Sequence, residues 1–374
     1  LFSQGNADNM PTTELEEGDF QDGKIDILAV LVKGGQASSR SEARRAVTQG
    51  GVSADGEKIT DIATAYVPAD FEGEGRLNVK GTKLVDQYGK EIQIQGVSTH
   101  GINWDVGKPY VNYQSFQNLR DEWGVNCIRI AMYTQEYNGY CVTDEREKKD
   151  LLETIDSAVK YTKKLGMYII IDWHVLSDQN PLKYKKEAKE FFRLMSKKYG
   201  KYKNVIFEIC NEPNGATTWN DIKVYAKSVI KIIRKNAKKS IIIVGTPTWS
   251  QDVDVASMSP IKNSKNIMYA IHFYAATHQD YYMNKVKKAI SNKLPVICTE
   301  FSGCEANGNG NINKSSLYKW LNYLKSNGIG YCCWSLSNKN ESASLLKSNC
   351  LKKYGYKKSD LSKMGKLLVE FYKK

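Results

Sequence analysis

Eight short apolar runs, each separated from the next by a segment of helical period, restrict what residues 78–374 can fold into. The runs are IQIQGVS (92–98), NCIRIAM (126–132), MYIIIDW (167–173), VIFEIC (205–210), IIIVG (241–245), IMYAIHF (267–273), PVICTE (295–300) and IGYCCWS (329–335). Near-continuous apolar runs of this length mark strands buried on both faces, as in a parallel sheet. Between them lie amphipathic stretches such as YQSFQNLRDEWG, ETIDSAVKYTKKLG, KEAKEFFRLMSKKYG and SSLYKWLNYLKSNG. Eight alternations over these 297 residues predict an α/β fold, a (β/α)8 TIM barrel. A doubly wound open sheet would place a glycine-rich phosphate loop after its first strand, and the sequence has none there.

The first 77 residues are a different kind of sequence. They hold 7 Lys+Arg against 14 Asp+Glu, a balance of −7, which leaves +20 for the remainder of a chain whose net charge is +13. An acidic lead (3–23) precedes KIDILAVLVKGG, read as a short helix stopped by Gly34-Gly35. SSRSEARRAVTQGG follows, with Ser39 and Glu42 at capping-box spacing and Gly50-Gly51 at the helix end. VSADGEKIT then reads as a hairpin turning at Asp55-Gly56. The expected domains are therefore 1–77, small and α+β, and 78–374, the barrel.

The lysines of the barrel part are spread along amphipathic segments and read as solvated helix faces. No apolar run has the length of a membrane span, so no membrane association is expected. All eight cysteines lie after residue 77 without zinc spacing, and Cys127, Cys210, Cys298, Cys332 and Cys333 fall inside apolar runs as small hydrophobes. A bridge involving Cys141, Cys304 or Cys350 stays open at this point.

Chemistry concentrates at the strand ends, where an α/β barrel carries its active site. Glu212 stands after the fourth run and Glu300 ends the seventh, and two carboxylates on different strands suggest an acid and a nucleophile acting on one bond. Around them fall His100, Arg129, Tyr133, His174, Asn211, Trp249, His272, Tyr274 and Trp334. A lone histidine in a core is usually just hydrogen-bonded, but a ring of polar and aromatic residues at nearly every strand end has no packing rationale. Four histidines and several acids could also ligate zinc; the closest pair, His272 and His278, lacks the short spacing typical of one metal site, so no metal and no cofactor are expected.

STHGINW, IDWHVLSDQNP, FEICNEPNG, IHFYAATH and WSLSNKNESASLL together make residues 78–374 resemble glycoside hydrolase family 5, and within it the bacterial endo-β-1,4-glucanases. The resemblance implies Glu212 as general acid/base and Glu300 as nucleophile in a retaining mechanism. It further implies that Asn211 binds the sugar 2-hydroxyl, that Arg129 and Tyr274 keep Glu300 charged, and that His100, His174 and His272 shape the cleft. Trp104, Trp249 and Trp334 are expected as exposed sugar platforms, with Tyr133 in support and Lys339 and Glu341 binding hydroxyls. Phe301 follows the nucleophile where that group usually has Trp. The implied substrate is a β-glucan such as cellulose, carboxymethyl cellulose or mixed-linkage glucan. A monomer is expected, and a secreted one, because the substrate is a polymer, although the opening LFSQGNADNM is no signal peptide.

SRSEARRAVTQGGVSADGEKI makes residues 1–77 resemble the C-terminal RNA-binding domain of bacterial tyrosyl-tRNA synthetases. There Arg40, Arg44 and Arg45 would face RNA, against which stands the negative charge of the segment. The two parts meet at EGRLNVKGTK with no Pro- or Ser-rich linker, and the expected reading is a fusion in which the first part is a carrier.

Overall fold

A computed structural model describes residues 13, 15, 17–21, 24–54, 57–66 and 75–373, so most of the acidic lead and the Asp55-Gly56 turn lie outside the described residues. The chain divides into two compact units, Leu1–Asp70 and Phe71–Lys374.

In the first unit β1 (Ile25–Asp26) pairs antiparallel with β4 (Ala65–Tyr66), and β2 (Ser53–Ala54) with β3 (Glu57–Lys58). Between them α1 (Ile27–Lys33) and α2 (Arg40–Thr48) bury Ile27, Leu28, Ala43 and Val47. Asp26 caps α1 by accepting from the Ala29 N–H at 2.8 Å. Ser39 caps α2, but the expected reciprocal bond is displaced: the Glu42 carboxylate accepts from the Ser38 N–H at 2.7 Å and the Ser38 hydroxyl at 2.5 Å. The box thus closes one residue upstream. Helix α1 ends at Gly34, and Gly35 then turns left-handed at φ 69°.

The second unit opens with a hairpin, β5 (Asn78–Lys80) and β6 (Lys83–Val85). Eight parallel strands follow and close on themselves: β7 (Gln95–Thr99), β8 (Cys127–Tyr133), β9 (Tyr168–His174), β10 (Val205–Glu208), β11 (Ile242–Val244), β12 (Ile267–Tyr274), β13 (Val296–Ser302) and β14 (Tyr331–Leu336). The connecting helices are α3 (Tyr113–Trp123), α4 (Glu145–Lys164), α5 (Lys185–Tyr199), α6 (Trp219–Asn236), α7 (Pro247–Ser250), α8 (Val253–Met258), α9 (Asp280–Ser291) and α10 (Lys314–Ser326), and α11 (Lys363–Tyr372) ends the chain. Helix starts are written locally: Asn112, Asp144, Thr218, Asn313 and Ser362 each accept a backbone N–H of the first turn.

Strand alternation divides the barrel interior along its axis. The inward positions near the strand starts are apolar, Cys127, Ile170, Ile206, Ile243, Met268, Ile297 and Cys332 among them, and form one cluster with Leu77, Leu84 and Ile92. The hairpin thus closes the base of the barrel, which draws Leu77 into the second unit. Two residues further along, the same inward faces carry Arg129, Asp172 and Glu208, all fully buried. All eight cysteines are free thiols, including Cys141, Cys304 and Cys350, whose pairing the sequence left open.

Leu84 is 2% exposed at the centre of this base. Leu84→Ala is expected to cost about 2–4 kcal/mol of stability, read as a lower urea midpoint of the barrel transition.

Candidate active site

A cleft of about 780 Å³ lies over the C-terminal ends of the strands, lined among others by His100, Glu212, Trp249, His272, Glu300 and Trp334. Its floor is the buried Arg129 of β8. The guanidinium donates from Nε to Glu208 at 2.7 Å, from Nη1 to Glu300 at 3.2 Å and from Nη2 to the Asn211 amide oxygen at 2.6 Å, with Asp172 3.0 Å from Nη2. Burial opposes its charge, yet Asp172, Glu208 and Glu300 hold its pKa well above the usual value.

Glu300 reaches this floor through a β-bulge. Ala270 of β12 pairs with Ile297 but His272 pairs with Glu300, so β13 spends three residues where β12 spends two. The extra residue lets the adjacent side chains of Thr299 and Glu300 both enter the barrel, where strict alternation would admit only one. A second shift in β14 falls between Cys333 and Leu336, where the Trp334–Ser335 peptide is cis. Besides Arg129, Glu300 accepts a hydrogen bond from the Tyr274 hydroxyl at 2.7 Å.

Glu212 is stitched down by its backbone, its N–H donating to the Val175 carbonyl at 3.1 Å. One oxygen of each of Glu212 and Glu300, with a ring nitrogen of His272, lie within 4.8 Å of one another. That separation suits a pair acting on one bond from two sides, since carboxyls about 5–5.5 Å apart leave no room for a water between them. The same three atoms could approach a cation, but the Glu300 oxygens already accept from Arg129 and Tyr274.

Hydrogen-bond donors fix the histidines. Burial raises the Glu208 pKa, but two Arg129 bonds, at 2.7 and 3.3 Å, oppose the rise and favour the anion, so the Thr299 hydroxyl donates to it at 2.6 Å. Thr299 has one proton to give, so at its 2.8 Å contact with His272 Nε2 it accepts. Burial lowers the His272 pKa to about 4, so the ring is neutral and its other nitrogen, Nδ1, is a bare acceptor. Glu212 sits 2.8 Å from that nitrogen and makes a good contact only when protonated. In agreement, burial pushes Glu212 up to about 8, with Arg129 opposing and Asp172 and Glu208 adding to the rise. Glu300 is also raised, by burial and then by Glu212, while His272 and Arg129 pull it back. Its two donors favour the charge on Glu300 and the proton on Glu212. By the same reasoning the Asn211 amide donates to His174 Nε2 at 3.1 Å, so the His174 Nδ1–H donates a hydrogen bond to Asp172 at 2.6 Å.

The remaining predicted residues divide. His100, Trp104, Tyr133, His174, Trp249, Trp334, Lys339 and Glu341 all line the cleft. Exposure corrects one expectation: Trp249 is 43% exposed, but Trp334 is only 5% exposed, stacked at 5.4 Å on His174, and Trp104 packs on Tyr133 at 4.5 Å. Trp249 stands on α7, where its own φ is 55° and that of Thr248 is 57°. Lys339 and Glu341 pair with each other at 2.6 Å, leaving Glu341 Oε1 without a partner, 3.9 Å from His100 Nε2. His278 is a brace, accepting from the Tyr274 N–H at 2.9 Å. In the first unit Arg40 is tied to Asp26 at 2.7 Å, while Arg44 and Arg45 are exposed. Sequence reasoning missed Asp172, Glu208 and Thr299; the signal for the first two was a carboxylate inside an apolar run, which no strand buries without a partner.

Residues 85–340 match the family Cellulase (glycosyl hydrolase family 5), and residues 2–79 match the C-terminal domain of tyrosine–tRNA ligases. The chain is 46% identical over 292 residues to an endoglucanase of Clostridium saccharobutylicum, covering 78% of this chain and 63% of that protein. It is 43% identical over 297 residues to endoglucanase A of Butyrivibrio fibrisolvens, covering 79% and 68%. The catalytic domain of Thermobifida fusca endoglucanase Cel5A, solved in complex with cellotetraose, superposes with a TM-score of 0.74 at 32% identity, over 80% of this chain and 98% of that one.

In a carbon-13 NMR titration the Glu212 carboxyl is expected to titrate near 8 and, in Glu300→Gln, at lower pH, because the neighbouring negative charge is gone and Arg129 keeps only two of its three carboxylates. Nitrogen-15 shifts should report His272 protonated at Nε2. Thr299→Val, which removes the acceptor, should release that tautomer, whereas Thr299→Ser should keep it.

Proposed function

Because this chain belongs to the glycosyl hydrolase family 5 cellulases, we propose that it cleaves internal β-1,4-glucosidic bonds of a glucan with retention of configuration. The observation that carries this is the facing pair Glu212 and Glu300 within 4.8 Å, one protonated against His272 and the other held charged by Arg129 and Tyr274. Glu300 attacks the anomeric carbon while Glu212 gives its proton to the departing oxygen, breaking the glycosidic bond and leaving a glycosyl ester on Glu300. Esterification removes the charge opposite Glu212, its proton affinity falls, and it takes a proton from the water that hydrolyses the ester. Asn211, whose amide contacts are long at 3.1 and 3.2 Å, exchanges one of them for the sugar 2-hydroxyl. Trp249 offers an exposed flat face to a sugar ring.

These relatives are endoglucanases and one was solved with cellotetraose, which supports a β-glucan substrate. Glu212, Glu300, Arg129, Tyr274 and His272 all belong to one barrel, and the reading carries a monomer with it. A β-glucan polymer is met outside the cell, which supports secretion; separately, no helix among the described residues is long and apolar enough to cross a membrane. Residues 1–77 take the part of a carrier in this reading. Their charge of −7 opposes RNA, and Arg40 is already paired with Asp26.

The viscosity of carboxymethyl cellulose should fall well before reducing ends accumulate; cellobiose release at constant viscosity would exclude internal cleavage. Glu300→Ala should abolish turnover and regain part of it with azide, giving inverted product. Glu212→Ala should lose on the order of 10²–10⁴ on the polymer but much less on substrates with good leaving groups. In wild type the alkaline limb of kcat/KM should lie near pH 8, above which Glu212 has lost its proton.

The carrier reading has its own test. Tyr168 donates to the Gly75 carbonyl at 2.8 Å and Leu77 is 2% exposed, so a truncated chain should begin at Gly75. It is expected to keep wild-type turnover; a loss beyond about tenfold, or 1.4 kcal/mol in the barrier, in a folded protein would remove the carrier role.

A further inference from the structure

The turn that carries Trp249 is wound against the preference of its residues. Thr248, Trp249 and Ser250 hold φ of 57°, 55° and 55°, three consecutive left-handed residues with no glycine among them. Such conformations cost of order 1–3 kcal/mol each and persist where the surroundings impose them. The indole presented in this way is 43% exposed, and Thr248, Trp249 and Gln251 all line the cleft, whereas Ser250 in their midst is fully buried.

What imposes the turn is the backbone around Glu212. The Trp249 N–H donates to the Pro213 carbonyl at 3.0 Å and the Ser250 hydroxyl to the Asn211 carbonyl at 2.6 Å, so the residues on both sides of Glu212 are held by this one turn. The same hydroxyl accepts from the Thr246 N–H at 3.2 Å, which closes the turn on its own start. Gly245 permits the approach: a Cβ there would stand 2.2 Å from the Cys210 carbonyl oxygen and 2.9 Å from Pro213. On the exposed side the Thr248 hydroxyl donates to Asp252 at 2.7 Å, whose other oxygen accepts from Lys285 at 2.6 Å.

We infer, resting on the retaining hydrolysis proposed for this cleft, that Ser250 is a positioning residue: it locks Trp249 to the Glu212 segment as the platform for the sugar on the leaving side of the scissile bond. Around the closed barrel β11 adjoins β10 and stands four strands from β7, so Trp249 and Trp104 lie on opposite sides of the cleft. The oxygen that takes the Glu212 proton lies against the end of β10. The part of the glucan that departs with that oxygen therefore runs toward β11 and Trp249. Proton donor and leaving-group platform are hydrogen-bonded through one serine and keep a fixed separation. Orientation of this kind is lost steeply with displacement, a shift of about 1 Å costing as much as 10²-fold. Ser250, being buried, acts through Trp249 and not on the sugar itself.

The test compares two donors on the full chain: cellopentaose, whose leaving group is a sugar, and β-cellobiosyl fluoride, whose leaving fluoride has no ring to lay on Trp249. Ser250→Ala should lower kcat/KM on cellopentaose by about tenfold to a hundredfold and stay within about threefold of wild type on the fluoride, which also reports folding. Trp249→Ala should lower cellopentaose cleavage to a similar extent. The double variant should lose no more than Trp249→Ala alone, since a residue that acts through another adds nothing once the other is gone. Should Ser250→Ala not fold, Ser250→Gly, whose backbone accepts the left-handed turn, carries the same comparison. Unchanged cellopentaose cleavage in the serine variant, equal loss on both donors, or additive losses in the double variant would overturn the positioning role and leave the hydrolytic reading standing. A wild type inert toward both donors would overturn the hydrolytic reading and this role with it.

Discussion

One buried cation organises the catalytic end of the barrel. Arg129 is fully buried and faces Asp172, Glu208 and Glu300 from three other strands, with the Asn211 amide closing the set. A charge there is tolerable only because its partners are equally buried and hydrogen-bonded, and removing one side of such a set typically costs about 3–5 kcal/mol. The cluster therefore cannot be altered piecemeal. It holds Glu300 by one fork of the guanidinium and Asn211 by another, so the nucleophile candidate and its neighbour are placed by the same group.

From that cation a chain of hydrogen bonds runs to the other carboxylate: Arg129 to Glu208, Glu208 to Thr299, Thr299 to His272, His272 to Glu212. Each link fixes the direction of the next, because an anion can only accept and a hydroxyl has a single proton to donate. The outcome is opposite protonation of two like groups in one cleft, the condition that a retaining glycosidase needs. The guanidinium that hydrogen-bonds Glu300 thus also, at four removes, leaves Glu212 facing a bare nitrogen.

The two ends of the barrel divide the work. Toward the strand starts the interior is Ile, Met, Leu and Cys, sealed by the β5–β6 hairpin, and it supplies the apolar burial that offsets the charged layer above. Outside that seal lies a rim rich in lysine, in contrast to the cleft, whose lining mixes histidine, carboxylate and aromatic side chains.

Most of the architecture was legible in the sequence, for a local reason. Each strand run and each helix start is set by neighbours in the chain, so periodicity and caps located all eight strands, and the strand-end position of Glu212, His174 and His272 followed from the barrel. The α2 capping box was legible only in part, since Ser38 and Ser39 compete for Glu42 and sequence spacing does not rank them. What only the tertiary structure decided is direction. In β13 strict alternation admits Thr299 or Glu300 to the interior but not both, and the bulge that admits both arises from pairing with β12 and β14, strands distant in sequence. The protonation of Glu212 and the burial of Trp334 likewise depend on partners far along the chain, whereas Lys339 pairs with Glu341 only two residues away. A sequence states which groups are present near each strand end; which of them meet, and which keeps the proton, is set by the three-dimensional field they share.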